Sequence, residues 1–113
     1  MDCIFCQIAA GKVPSEIVYK DEKVIVFRDI NPQAPIHLLI ISKKHIPSLA
    51  QLPEAESPLT AHMVKIANQL ARREGIAESG YRLVINCGAQ GGQVVPHLHM
   101  HLLGGRQLSD KLG

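Results

Sequence analysis

No apolar run in this 113-residue chain approaches the ~20 residues of a membrane span. Its start, Met1-Asp2-Cys3, lacks the basic and apolar regions of a secretory signal. Charge of one sign is equally scarce. Lys and Arg exceed Asp and Glu by only two and are dispersed, with Lys43-Lys44 the one notable doublet in the middle of the chain, so nothing argues for a nucleic-acid partner. Three cysteines give no even-numbered disulfide framework, and a reducing cytoplasm is the simplest expected compartment. The length suits one domain, residues 1–113, with a buried core.

Against these absences stand six histidines, three of them at alternate positions in Pro96-His97-Leu98-His99-Met100-His101-Leu102-Leu103. Successive side chains of a β-strand point to opposite faces, so the pattern predicts one strand with three imidazoles in a row, about 7 Å apart, and Leu98, Met100 and Leu102 opposite. Imidazole titrates near neutrality and serves as nucleophile, proton carrier or metal ligand. A single histidine on a strand is ordinarily structural. Three in strict alternation against an apolar face point to chemistry, either attack on an electrophile or ligation of a catalytic zinc ion.

The rest of the chain reads as an α+β protein with a mainly antiparallel sheet. Residues 3–10 form a short amphipathic helix stopped by Gly11. Ile17-Val18-Tyr19 and Val24-Ile25-Val26-Phe27 are short strands around a polar turn. Two prolines keep Asn31-Pro32-Gln33-Ala34-Pro35 out of regular structure, making it a loop that delivers His37 to the strand Leu38-Leu39-Ile40-Ile41. Ser57 is the expected N-cap of the one long helix. Pro58 takes its first position, Leu59, Met63, Ile66 and Leu70 recur at helical spacing, Arg72 and Arg73 occupy the last turn, and Gly75 ends it. His62 on that helix reads as a surface or boundary residue. Tyr81-Arg82-Leu83-Val84-Ile85-Asn86 forms another strand, and a glycine-rich loop from Cys87 to Gln93 joins it to the histidine strand, so these two should pair antiparallel. Gly91 and Gly92 would let backbone N–H groups approach an anion, although Gly-Gly is also a plain turn. Cys87 reads as buried.

The segment from His97 to Leu103 matches the alternating signature of the histidine triad, or HIT, superfamily. Phe27-Arg28-Asp29-Ile30-Asn31-Pro32-Gln33-Ala34-Pro35, Gly91-Gly92-Gln93 and Gly104-Gly105-Arg106 resemble its Hint branch, the nucleoside phosphoramidases. The resemblance covers nearly the whole chain. It implies a five-stranded, mainly antiparallel sheet with one long and one short helix, dimerising through the sheet and the long helix. The implied reaction is hydrolysis of the P–N bond of purine nucleoside 5′-phosphoramidates through a nucleotidyl-histidine. His99 would be the nucleophile, its second nitrogen held by a backbone carbonyl. His101 would contact phosphate, His37 would support the triad, and His97 would act directly or as an orienting residue. Catalysis of this kind requires no cofactor.

For the nucleotide, Asp29 offers a carboxylate to both ribose hydroxyls. Phe5, Ile8, Val13, Phe27, Ile30 and Leu39 are apolar residues for the base, with core packing as the alternative. Asn86, Gly92, Gln93 and Val94 lie where the family meets phosphate. Two departures stand out: Val94 replaces a hydroxyl residue common in Hint enzymes, and Pro96 replaces an aromatic. The tail also lacks the tryptophan of animal relatives. Cys3-x-x-Cys6 is half of a zinc site or a pair of helix-packed thiols. Some HIT relatives complete such a site with histidines at the positions of His45 and His97, and zinc held there would be structural. Three other functions remain open: a zinc-dependent hydrolase using the three histidines as ligands, a related dinucleoside polyphosphate hydrolase, and a nucleotide-binding interaction module.

Overall fold

The computed structural model describes residues 3–112. Helix α1 (Ile4–Ala9) precedes strands β1 (Ile17–Lys20), β2 (Val24–Arg28) and β3 (Ile36–Ser42). Two single 3₁₀ turns, Leu49–Gln51 and Glu54–Glu56, lead into α2 (Pro58–Arg73), followed by β4 (Tyr81–Val84) and β5 (His99–Gly104). The sheet order is β1-β2-β3-β5-β4, with every neighbouring pair antiparallel. This is the expected α+β arrangement of five strands with one long and one short helix. No helix among the described residues is long and apolar enough to cross a membrane.

One face of the sheet packs on α2. Val24, Val26, Leu38, Ile40, Met100 and Leu102 from the strands meet Met63, Ile66, Ala67 and Leu70 from the helix. These helix positions recur at three- and four-residue spacing, which puts them on one stripe. The other face of β2 and β3 carries Ile25, Phe27, Leu39 and Ile41, which pack with Phe5 and Ile8 of α1. Covered on both sides, β2 and β3 read as continuous apolar runs, whereas β5 alternates because only its α2 side is fully apolar.

Element boundaries differ from expectation where local hydrogen bonds decide. Ser57 has helical backbone angles and makes no side-chain cap; its N–H donates to Glu54 O instead, so a 3₁₀ turn feeds directly into Pro58. At the far end Gly75 adopts φ +78°, a left-handed conformation that lets the N–H of Ile76 reach Ala71 O at 2.9 Å. His62 is half-buried, the boundary residue expected, and it also makes a contact that the sequence does not show. Its Nε2 lies 2.7 Å from Asp21 Oδ2, fastening the β1–β2 turn to α2. Asp21 also accepts from the N–H groups of Lys23 and Val24 and from Tyr19 Oη. Burial would raise the Asp21 carboxyl, but these donors together hold it well below the usual carboxylate range. Cys87, expected to be buried, is half-buried at the start of the glycine loop.

Candidate active site

The register of the two central strands assembles the site. β3 pairs with β5 so that His37 faces Leu103, Leu39 faces His101 and Ile41 faces His99. Cross-strand partners share a face, so His37, His99 and His101 lie together on the side away from α2. His97 departs from the expected strand. It sits in the bend before β5 and is fully buried, and Leu98 N–H bonds to Ile46 O at 2.7 Å, outside the β3–β5 ladder. The alternation still delivers the ring to the α1 side, where Phe5 packs edge-on against both His97 and His99.

Hydrogen bonds fix the protonation of each ring. His99 Nδ1 lies 2.6 Å from His97 O, and a carbonyl can only accept, so Nδ1 carries a proton and, in the neutral ring, Nε2 keeps its lone pair. The opposite holds two residues on. The backbone N–H of Gln33 donates to His37 Nδ1 at 3.0 Å, which leaves the proton of His37 on Nε2. That Nε2 stands 2.9 Å from His101 Nδ1 and 3.4 Å from Asp29 Oδ2. His101 therefore accepts at Nδ1 and presents a proton at Nε2. Adjacent imidazoles thus offer a lone pair and a donor.

Burial favours the uncharged rings. It pushes His101 down to about 4, with the neighbouring His99 and His37 adding to the shift and Asp29 opposing it. Burial likewise lowers His37 against the pull of Asp29. His97 is lowered by burial, with the bond to the Ser42 carbonyl opposing and His45 and His99 reinforcing.

A cavity of about 600 Å³ opens over this face and is lined by His37, His99 and His101 together with Asp29, Asn86 and Gly92. Phe5, Ile8, Phe27 and Leu39 form its floor and belong at the same time to the apolar cluster beneath. Cavity-lining and core positions, set against each other by the sequence, coincide for these four. Val13 also lines the cavity, as do Ile30 and Val94, which are 87% and 88% exposed. Asp29 Oδ1 accepts from Asn31 N–H at 2.8 Å, so the loop after β2 holds this carboxylate in place at the cavity.

The glycine loop behaves differently from expectation. The N–H groups of Gly91 and Gly92 bond inward, to Gly88 O at 3.2 Å and Ala89 O at 3.1 Å, and offer nothing to an anion. Gly91 is required by close approach instead, since a Cβ there would sit 2.3 Å from Cys87 O. Gln93 stays out of the cavity. Its amide donates to Pro47 O and Val95 O and its carbonyl accepts from Gly88 N–H, so all of its bonding ties the loop down. Among the described residues, the next two backbone amides, Val94 and Val95, have no hydrogen-bond partner, and both residues line the cavity. Unlike the glycine amides, these two are not consumed within the loop. Nothing in their side chains announces this; only the loop's internal bonding reveals it. Asn86 donates to Gly91 O at 2.8 Å and has a second amide proton left over.

Cys3, Cys6, His45 and His97 converge on the other side of His97, their ligand atoms all within 4.8 Å of one another. His97 Nδ1 is 3.3 Å from Cys3 Sγ and 3.2 Å from His45 Nδ1, and Cys6 Sγ is 3.2 Å from His45 Nδ1. Since His97 Nε2 donates to Ser42 O at 2.6 Å, its Nδ1 lone pair faces the cluster. Burial and the adjacent Cys3 raise the Cys6 thiol. Asp29, His37 and His101 form a second group within 4.8 Å, but their atoms are engaged in the hydrogen bonds described above.

The HIT domain family model matches residues 10–108. The chain belongs to the HIT family. It is 47% identical over 111 residues to the purine nucleoside phosphoramidase of Escherichia coli strain K12, covering 98% of this chain and 93% of that one. It is 48% identical over 108 residues to the 14 kDa zinc-binding protein of Zea mays, covering 94% and 84%. The crystal structure of a HIT family hydrolase from Legionella pneumophila superposes with a TM-score of 0.95 at 49% identity, covering 99% of this chain and all of that one. The HIT fold is therefore shared with solved relatives.

The buried neutral imidazoles set a pH dependence. An unfolded histidine takes up a proton as the pH falls through about 6.5, whereas native His101 resists until about 4, so acidification favours the unfolded chain in this window. The urea midpoint should fall between pH 7 and pH 5, and His101→Gln should flatten that fall. A midpoint equally steep in the variant would contradict a neutral, buried His101.

Proposed function

We propose that this HIT protein is a nucleoside phosphoramidase, hydrolysing the P–N bond of purine nucleoside 5′-phosphoramidates through a nucleotidyl-histidine. The observation that carries this reading is the opposed protonation of adjacent rings, a lone pair on His99 Nε2 beside a proton on His101 Nε2, at an apolar cavity with a carboxylate at Asp29. The activity named for the Escherichia coli relative supports it.

In this reading the purine lies between the cavity floor and the exposed Ile30, and Asp29 accepts from the ribose hydroxyls. The α-phosphate sits at His99, where the N–H groups of Val94 and Val95, the amide of Asn86 and His101 Nε2–H surround its oxygens. His99 Nε2 attacks phosphorus. The P–N bond breaks, the amine departs with a proton, and water then attacks the phosphorus of the adduct to release the nucleoside monophosphate and restore His99. One difficult substitution becomes two easier ones. His97 O holds the ring throughout and stabilises the charge that appears on it when Nε2 is bonded. Val94 supplies no hydroxyl to the departing amine, which leaves that proton to water or to the substrate.

Cys3, Cys6, His45 and His97 fit a structural zinc ion. Tetrahedral Zn–S and Zn–N bonds of about 2.0–2.3 Å put ligand atoms roughly 3.3–3.8 Å apart, close to the spacing found here. Zinc with four protein ligands leaves no open position and would lend rigidity, tying α1 to the bend before β5. The zinc-binding name of the Zea mays relative is in keeping with this. A second copy of the chain is proposed to pair along β4, the four-residue strand at the edge of the sheet, with α2 contributing to the contact.

Steady-state assays of adenosine and guanosine phosphoramidates against diadenosine polyphosphates, with and without chelator, test substrate class and metal need together. Phosphoramidates should be preferred and turnover should survive chelation during the assay. His99→Ala should lose about 10³-fold or more in kcat while still binding nucleoside monophosphate. Retained hydrolysis in that variant would overturn the nucleophile. Loss of turnover on brief chelation, with the fold intact, would favour the zinc-dependent hydrolase and give Asp29, His37 and His101 a ligand role.

Native mass spectrometry should find one zinc per chain. Cys3→Ser with Cys6→Ser should abolish it and lower the melting temperature. A chain that folds from zinc-containing buffer without metal would contradict the site.

A further inference from the structure

One proton has two claimants in the middle of the cavity. The N–H of Gln33 holds His37 Nδ1 as an acceptor, so His37 carries its proton on Nε2. That nitrogen lies 2.9 Å from His101 Nδ1 and 3.4 Å from Asp29 Oδ2. The hydrogen bond goes to His101, and the carboxylate pulls on the same proton from the side. Nitrogen, nitrogen and oxygen form one group within 4.8 Å, and the His37 ring at its centre is buried, so water screens the pull of the carboxylate only weakly.

The two ends of this group face different parts of the cavity that they both line. Asp29 is fixed by its own loop: Oδ1 accepts from Asn31 N–H at 2.8 Å, and its backbone N–H donates to His37 O at 3.0 Å. Among the described residues no lysine or arginine pairs with it. Its charge is instead felt at His37 and His101, where it opposes the effect of burial. At the other end His101 turns its Nε2–H away from His37, on the same face of the sheet as His99.

We propose that the ribose hydroxyls govern the reaction at phosphorus through Asp29 and His37, so that nucleoside recognition is converted into rate as well as affinity. The inference rests on the hydrolytic reading above, in which Asp29 accepts from the ribose and His101 Nε2–H donates to the phosphate. Without ribose, the charge of Asp29 competes with His101 for the His37 proton. Hydroxyl donors spread that charge, and His37 then gives a stronger hydrogen bond to His101 Nδ1. An imidazole that accepts a stronger bond at Nδ1 is a better donor at Nε2, because hydrogen bonds in series polarise one another. His101 thereby stabilises the charge that gathers on the phosphate oxygens as His99 attacks. No proton leaves its nitrogen in this coupling. A contact that served binding alone would act equally on ground and transition states and change KM without kcat.

The test compares phosphoramidates of adenosine and 2′,3′-dideoxyadenosine carrying the same amine, in single turnovers at saturating enzyme. The dideoxy compound should react about tenfold more slowly, the size of one charge-assisted hydrogen bond, besides binding more weakly. Asp29→Asn should shrink that rate ratio several-fold. His37→Leu should remove it and keep the difference in binding, since Asp29 still meets the ribose but no longer reaches His101. A ratio within one variant is insensitive to partial unfolding. Equal saturated rates in the unaltered protein would overturn the proposal, and so would a rate penalty that persists in His37→Leu, which would assign it to misplaced phosphorus. The free nucleosides test the same coupling without hydrolysis and without a variant. In ¹H–¹⁵N spectra of the unaltered protein, saturating adenosine should move the His101 Nδ1 and Nε2 signals, and 2′,3′-dideoxyadenosine should leave them nearly in place; an equal response to both would overturn the coupling. Failure to hydrolyse either phosphoramidate would overturn the phosphoramidase reading, and the nucleosides would then decide the coupling by themselves.

Discussion

The bond from His99 Nδ1 to the carbonyl of His97 is the interaction on which the site depends. It gives the nucleophile candidate its free Nε2 and fixes the plane of the ring. His97 can serve this way because its own position is determined from three directions. Its Nε2 is bonded to Ser42 O on β3, its Nδ1 faces the cysteine cluster, and Phe5 of α1 packs against the ring. A residue that looks like one of three equivalent histidines is thus the bracket between a metal-type cluster and the His99 ring. Whatever stiffens the cluster stiffens the carbonyl that holds His99.

The same logic runs the other way through His37. Here the fixed element is a backbone N–H, that of Gln33, and it forces a donor at His37 Nε2 and then at His101 Nε2. Two main-chain groups, one accepting and one donating, set adjacent imidazoles to opposite tasks without any change of side-chain type. Burial completes the arrangement by holding His37, His97 and His101 in their neutral forms. Asp29 works against that burial effect at His37 and His101, which keeps the two rings polarised without charging them.

Much of this was legible in the sequence, because the signals were local. The helical stripe Met63, Ile66 and Leu70 and the apolar runs of β2 and β3 located the core, and the alternation from Leu98 to Leu102 put His99 and His101 on the face that carries the site. The errors occur where distant backbone decides. His97 leaves the strand because its ring bonds to Ser42 O, 55 residues away, and no periodicity records that contact. The glycine amides of the loop turn inward, and the amides left without a partner among the described residues are those of Val94 and Val95, whose side chains carry no polar atom to suggest it. Gln93, a natural ligand residue by type, is consumed in bracing the loop across to Pro47.

The central claim is that His99 and His101 hold their protons on opposite nitrogens. Long-range ¹H–¹⁵N NMR of the uniformly labelled protein near pH 7 reads this directly, since protonated and lone-pair nitrogens of a neutral imidazole differ widely in shift. The account predicts His99 protonated at Nδ1, and His101 neutral and protonated at Nε2. The same tautomer on both rings, or an imidazolium at His101, would contradict it.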